Sequence, residues 1–215
     1  AQAAHWLPRI ARGEAIFSAV IDERRQRVLA DAPLRLSGDR LSGVVSAVPD
    51  GMAASACLLL VGGQLVLADL TAAQVGRSAQ RSLDPTRPLA RMAFADAPVE
   101  LLAASDGERI ASQVVDGAAV LLAFEAVGGA ERALYAARDY VMERRAFGRL
   151  VGSFQAVKHK LADLFAQIEI ARAHAYYGAW AMASGAPELP RAASAALVAA
   201  TTAYNAVAEE SLHLH

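Results

Sequence analysis

Between Tyr140 and Leu164 the chain reads Tyr-Val-Met-Glu-Arg-Arg-Ala-Phe-Gly-Arg-Leu-Val-Gly-Ser-Phe-Gln-Ala-Val-Lys-His-Lys-Leu-Ala-Asp-Leu. The arginine pair Arg144–Arg145 stands where one helical pattern ends. Phe147 and Gly148 make a short basic turn, and a longer helical pattern begins beyond them. The first N–H groups of a helix have no intrahelical partner, and the helix dipole favours negative charge there. Arginines beside a fresh helix N-terminus therefore make an anion site.

Other reactive residue types assemble less well. His5, His159, His174, His213 and His215 have no metal-ligand spacing, and residues two apart on a helix, such as His213 and His215, face different ways. Cys57 lies in the apolar run Cys57-Leu58-Leu59-Leu60-Val61 and reads as a small core residue. Lys160 and Asp163 read as a helix-surface pair at i and i+3. There is no Gly-rich dinucleotide fingerprint, no P-loop, and no hydrolase elbow around Ser153.

The elements that must carry this site fall into two regimes. Residues 1 to about 105 read as strands. Cys57–Val61 meets Gln64–Ala68 across Gly62-Gly63, a hairpin signal because a type I′ turn needs positive φ at both central residues. Further short strands are expected over Ile16–Ile21, Leu34–Leu36, Leu41–Val48 and Arg91–Phe94, separated by turns such as Ser37-Gly38-Asp39 and Pro49-Asp50-Gly51.

From Asp106 the period becomes helical. Val120, Phe124, Val127, Leu134 and Val141 recur at helical spacing. A second helix is expected from an N-cap at Ser153, with Leu161, Leu164, Ile168, Ala171, Ala175, Gly178 and Met182 on one face, ending near Gly185. At 1.5 Å per residue its roughly thirty residues make a rod on the order of 45 Å long. Pro190 suits the first turn of a third helix bearing Ala193, Leu197, Ala200, Tyr204 and Val207. The expected class is α+β: an antiparallel β-sandwich or barrel over 1–105, then an antiparallel long-helix bundle over 106–215, incomplete at its end.

The 215 residues carry a formal net charge of −1, which makes no case for nucleic acid or an anionic membrane as partner. One cysteine cannot pair internally, so a reducing, cytoplasmic setting is expected. No uninterrupted apolar run approaches the ~18 residues of a membrane span. Hydrophobic residues make up 55 %, many of them alanine, as in closely packed helices with a large buried interface. The chain opens without Met and stops at His215 inside an amphipathic pattern, as a segment of a longer protein would.

Tyr140, Arg144, Phe147, Gly148 and Gln155, with Gly128-Gly129-Ala130-Glu131 before them and His213-Leu214-His215 after, closely resemble the acyl-CoA dehydrogenases, a family of FAD flavoenzymes. Trp6-Leu7-Pro8 through Gly13-Glu14, Leu83-Asp84-Pro85-Thr86-Arg87-Pro88 and Met92-Ala93-Phe94 match more loosely. The resemblance implies that Arg144, Phe147, Phe154 and Gln155 line the pyrophosphate and adenosine half of FAD, largely for the flavin of a neighbouring subunit, with His213 a weaker cofactor candidate. The side chains suit that role: arginine for a diphosphate, apolar cover for adenine, and both donor and acceptor on Gln155.

The departures matter equally. Where some family members carry the catalytic glutamate, this chain has Ala118 and Ala119; Glu125 lies seven residues on, about 10 Å along a helix. The family's Thr-Glu-Pro-Gly loop and Trp-Ile-Thr strand, which meet the flavin ring, correspond to Ile21-Asp22-Glu23-Arg24-Arg25 and Ser46-Ala47-Val48-Pro49. Val48-Pro49-Asp50-Gly51 resembles the actinobacterial branch of α2β2 heterotetramers acting on CoA thioesters of steroid side chains. The resemblance thus implies α,β-dehydrogenation of an acyl-CoA, with a second acyl-CoA dehydrogenase-like subunit (or a second copy) as partner and an electron-transfer flavoprotein as candidate acceptor. Three roles stay open: a partner without the base, a complete enzyme whose glutamate lies beyond His215, and a flavin-free scaffold subunit.

Overall fold

The structure is a computed structural model that describes residues 2–21, 33–102 and 106–215. It divides into two compact units, Ala1–Ser112 and Gln113–His215.

The first unit opens with helix α1 (Gln2–Ala11), which corrects the expectation of strands throughout this half. Trp6 ties it down, with its ring edge-on to Phe17 at 5.0 Å. Among the described residues seven strands follow: β1 (Phe17–Val20), β2 (Arg35–Ser37), β3 (Arg40–Pro49), β4 (Ala56–Val61), β5 (Gln64–Asp69), β6 (Val75–Gln80) and β7 (Leu89–Leu101). Every pairing is antiparallel except β1 with β4. The Gly62-Gly63 link joins β4 to β5 with both residues at positive φ, 56° and 80°, as the two-residue hairpin requires.

Strand β7 carries the architecture. Its first half pairs with β3 on one side and β6 on the other, and Val99–Leu101 pairs with β5. Asp96, at φ 56°, marks the bend between the two halves, the way a strand passes from one sheet to another. The enclosed core includes Leu41, Val45, Leu59, Val66, Met92 and Phe94. Cys57 belongs to it, and burial pushes its thiol up to about 12, which suits a core residue and not a nucleophile.

The second unit is built on three long helices: α2 (Gly107–Glu143, whose first turn lies in the first unit), α3 (Gln155–Ser184) and α4 (Leu189–Leu214). Gly185 ends α3 in the left-handed conformation at φ 64°, and Pro190 sits in the first turn of α4. Gly128 and Gly129 lie inside the continuous α2 and form no turn; a Cβ on Gly129 would come within 2.9 Å of the Tyr204 ring.

The core stripe of α4 runs through Ala193, Ala196, Ala200, Ala203 and Val207. Tyr204, expected on that face, is 40 % exposed, and on α3 Ala181 takes the buried place expected for Met182. Small residues let the helices approach closely: a Cβ on Gly178 would stand 3.0 Å from Val120 and 3.6 Å from the Ala196 Cβ.

Helix α2 is strongly apolar, but its charged residues keep every uninterrupted apolar run in it short of a membrane span. Asp116 and Glu125 interrupt it, yet an 18-residue window reaches mean hydropathy 1.6 with 28 % of it buried within the structure. By length and composition it could cross a membrane, but one such helix is weak support for that. Its middle turns instead pack against α3 and α4 through Ala123, Val127, Ala130 and Leu134.

Lys160 pairs with Glu210 at 2.6 Å, tying α3 to α4, not with Asp163 as its i+3 spacing implied. That hydrogen bond holds the Glu210 carboxyl below the usual carboxylate range. A depressed carboxylate pKa stabilises the fold above the unfolded value and loses the contribution as pH falls through the folded value. Lys160 is half exposed, so Lys160→Ala should cost under ~1 kcal/mol near neutrality. Denaturant titrations should show the gap between wild type and variant closing by about pH 3.

Candidate functional site

The basic turn is a miniature β-hairpin. Strands β8 (Arg145–Ala146) and β9 (Arg149–Leu150) pair across Phe147-Gly148. The Val151 N–H donates to the Arg144 carbonyl at 2.8 Å, closing its base. Phe147 and Gly148 have φ of 53° and 79°. Glycine suits that conformation, but a phenylalanine there is strained. The same Phe147 side chain is 96 % exposed. Strain and exposure on one aromatic residue point to a role outside the fold.

After the hairpin a 3₁₀ turn, Val151–Ser153, leads into α3. This corrects the expected Ser153 cap: the Ser153 hydroxyl donates back to the Leu150 carbonyl at 2.6 Å. Phe154 occupies the N-cap position, and no side chain caps the helix. The helix terminus therefore follows a hairpin that bears Arg144, Arg145 and Arg149, and has no protein carboxylate or hydroxyl as its cap. The Phe147 and Phe154 rings stand at right angles, 6.4 Å apart, and the Arg149 guanidinium lies 3.8 Å from the centre of the Phe154 ring. Gln155 lies one helical turn from His159, with Nε2 to Nε2 at 3.4 Å.

The structure brings Arg144, Phe147, Phe154 and Gln155 onto one hairpin-and-helix start. His213 sits at the same end of the bundle through its neighbours. Tyr140 stacks on His215 at 4.5 Å and donates its hydroxyl to the His215 carbonyl, and Arg144 N–H donates to the Tyr140 carbonyl. His213 itself is 75 % exposed and approaches Glu210 at 3.8 Å. Sequence reasoning passed over Arg149; its signal, a cation five residues before an aromatic across a turn, is legible only once the hairpin is known.

This set fits the nucleotide end of FAD: cations, unsatisfied helix N–H groups and two aromatic rings. The residues matched to the flavin ring do not. Strand β3 bulges between Val45 and Val48, with Ala47 at φ 55°. The Ala47 N–H is already given to the Gln80 Oε1 at 2.6 Å. Pro49 has no N–H, and its carbonyl accepts the Ser18 hydroxyl at 2.7 Å. An aromatic platform is also missing at Ala47. Residues 22–25, matched to the family's other ring-binding loop, lie outside the described residues. Ala118 is exposed on α2 with only a methyl side chain.

Comparison with known proteins accords with this geometry. Residues 105–215 match the model of the acyl-CoA dehydrogenase C-terminal domain. The chain is 35 % identical over 227 residues to the acyl-CoA dehydrogenase IpdE2 of Mycobacterium tuberculosis, covering 95 % of this chain and 67 % of the relative. Among solved structures, butyryl-CoA dehydrogenase from Megasphaera elsdenii superposes with a TM-score of 0.88 at 22 % identity, over 99 % of this chain and 61 % of that one. The steroid acyl-CoA dehydrogenase Tcur3481–Tcur3483 does so at 0.85 and 26 %, over 100 % of this chain and 60 % of that one. The chain thus spans about three fifths of the solved structures it matches. A mostly antiparallel β-unit, a long-helix bundle and the Arg-Phe-Gly hairpin between the first two bundle helices are accounted for together: this chain belongs to the acyl-CoA dehydrogenase family.

Proposed function

We propose that this chain is a subunit of an FAD-dependent acyl-CoA dehydrogenase that completes the flavin site of an unlike partner and does not supply the catalytic base. The observation that carries this reading is the split in the chain's own residues. The basic hairpin carries an exposed, strained Phe147, while the strand matched to the flavin ring is sealed by Gln80 and Ser18. The family match and the solved FAD-dependent dehydrogenase that superposes at a TM-score of 0.85 support FAD as the cofactor.

When bound, FAD supplies the hydride-accepting chemistry of α,β-dehydrogenation. This chain's share is to bind and orient. Arg144 would neutralise the diphosphate together with the N-terminal N–H groups of α3, Phe147 and Phe154 would cover the adenine, and Gln155 and His213 would hold the rim. Removing the α-proton of the acyl-CoA takes a general base; Ala118 and Ala119 cannot serve, and this reading assigns the base to the partner.

Similarity to IpdE2 and to a steroid acyl-CoA dehydrogenase supports a bulky, steroid-derived CoA thioester as substrate. A heterotetramer built as a dimer of unlike dimers, in the cytoplasm, suits this reading. So does the uncovered apolar surface of the bundle, where Leu121, Phe165, Tyr176, Trp180 and Val198 are each about half exposed or more. A solved structure described as an electron-transferring flavoprotein also superposes, and such a protein is the proposed electron acceptor.

The activity test is direct. The full-length chain purified alone should show no acyl-CoA dehydrogenation, the co-expressed pair should be active, and Ala118→Glu should leave the solitary chain inactive. Turnover by the solitary chain would overturn the reading and favour a complete enzyme with its own base.

A further inference from the structure

We infer that Arg149 is a positioning residue for the adenosine end of the dinucleotide, acting through Phe154; this rests on the FAD reading above. Three observations meet here. The Arg149 guanidinium lies 3.8 Å from the Phe154 ring centre, a face-on contact. Phe154 stands edge-on to Phe147 at 89°. The backbone of Arg149 is held in register opposite Ala146 by the two-residue hairpin, so the guanidinium leaves from a fixed point.

A half-buried aromatic at an uncapped helix start has freedom about χ1 and χ2, and a ligand that stacks on it must first remove that freedom. A guanidinium over one face removes it beforehand. The two rings are then set as a right-angled corner, the shape that takes a flat purine by stacking on one ring and edge contact with the other. A lysine would bring the charge but not the plane. Arg144 and Arg149 thus have different tasks, the first binding charge and the second setting the aromatic corner.

The test measures FAD affinity of the assembled apoprotein by quenching of flavin fluorescence. The variants are Arg149→Leu, Arg149→Lys, Phe154→Leu, the double variant Arg149→Leu/Phe154→Leu, and Arg144→Ala as reference, with assembly checked by native mass spectrometry. The expected result is a two- to fivefold rise in Kd for Arg149→Leu, the scale of an exposed cation–π contact. Arg149→Lys should recover little of it. Adding Arg149→Leu to Phe154→Leu should change Kd by less than about twofold, because the ring it positions is gone. An unchanged Kd for Arg149→Leu, full rescue by lysine, or an equal loss in both backgrounds would overturn the inference. If Arg144→Ala weakens binding while the Arg149 variants do not, the FAD reading survives and only the role of Arg149 falls. If Arg144→Ala is also silent, the FAD reading itself fails.

Discussion

Arg144→Ala should weaken FAD binding by the assembled protein ten- to a hundredfold. Arg144 sits at the end of α2, where its backbone closes the hairpin on both sides: its N–H donates to Tyr140 and its carbonyl accepts from Val151. These contacts survive truncation to alanine, so the hairpin should keep its shape. What is lost is a guanidinium on the hairpin that leads into an uncapped helix terminus. A charge-assisted hydrogen bond to a phosphate is worth about 1.5–3 kcal/mol, and about 1.4 kcal/mol is tenfold in affinity. Titrating apoprotein with FAD measures the change. Unchanged affinity with intact assembly would remove Arg144 from the site.

The second large effect is on stability. Gly178→Leu should destabilise the bundle by about 3 kcal/mol, at the upper end of the usual cost of overpacking. Gly178 is where three helices meet. A Cβ there already stands 3.0 Å from Val120 on α2, 3.6 Å from Ala196 and 3.7 Å from the Ala192 carbonyl on α4. The remaining leucine atoms have nowhere to go without moving two helices. Gly178→Ala should cost less, since Val120 presents one methyl that can shift by a few tenths of an ångström. Denaturant unfolding of the two variants measures the pair. Equal stability of wild type and Gly178→Leu would mean that the helices are more loosely packed than this geometry requires.

Features with a local cause were legible in the sequence. The Gly62-Gly63 hairpin follows from turn chemistry, and Gly185 and Pro190 punctuate the helices through their own backbone preferences. The helical stripes were legible to within a residue, because 3.6-residue periodicity is carried by many side chains at once. Features decided at a distance were not. Strand β6 has one large apolar residue, Val75, and becomes a strand because β7 offers it an edge. Helix α1 contains Pro8 and is held by Trp6 against Phe17. Lys160 finds Glu210 fifty residues away, and the Ser153 hydroxyl is taken by a 3₁₀ turn that only the hairpin before it creates.

The candidate site divides in the same way. The residues of the basic turn could be read in order, and the resemblance to a flavoenzyme family placed them against a cofactor. The left-handed Phe147, the right-angled rings and the Arg149 stack required coordinates. So did the sealing of the β3 bulge, since Gln80 reaches Ala47 from a strand that sequence patterning did not reveal.

The most direct measurement is the flavin and subunit stoichiometry of the full-length protein, purified alone and co-expressed with its partner, by visible absorbance and native mass spectrometry. The account predicts a solitary chain that retains no flavin, and an assembly of two copies of each unlike subunit that carries FAD. A solitary chain that holds one FAD per subunit would contradict it, because the strand at Ala47–Pro49 would then have to receive a flavin ring although the Ala47 N–H is already given to Gln80 and Pro49 has no N–H.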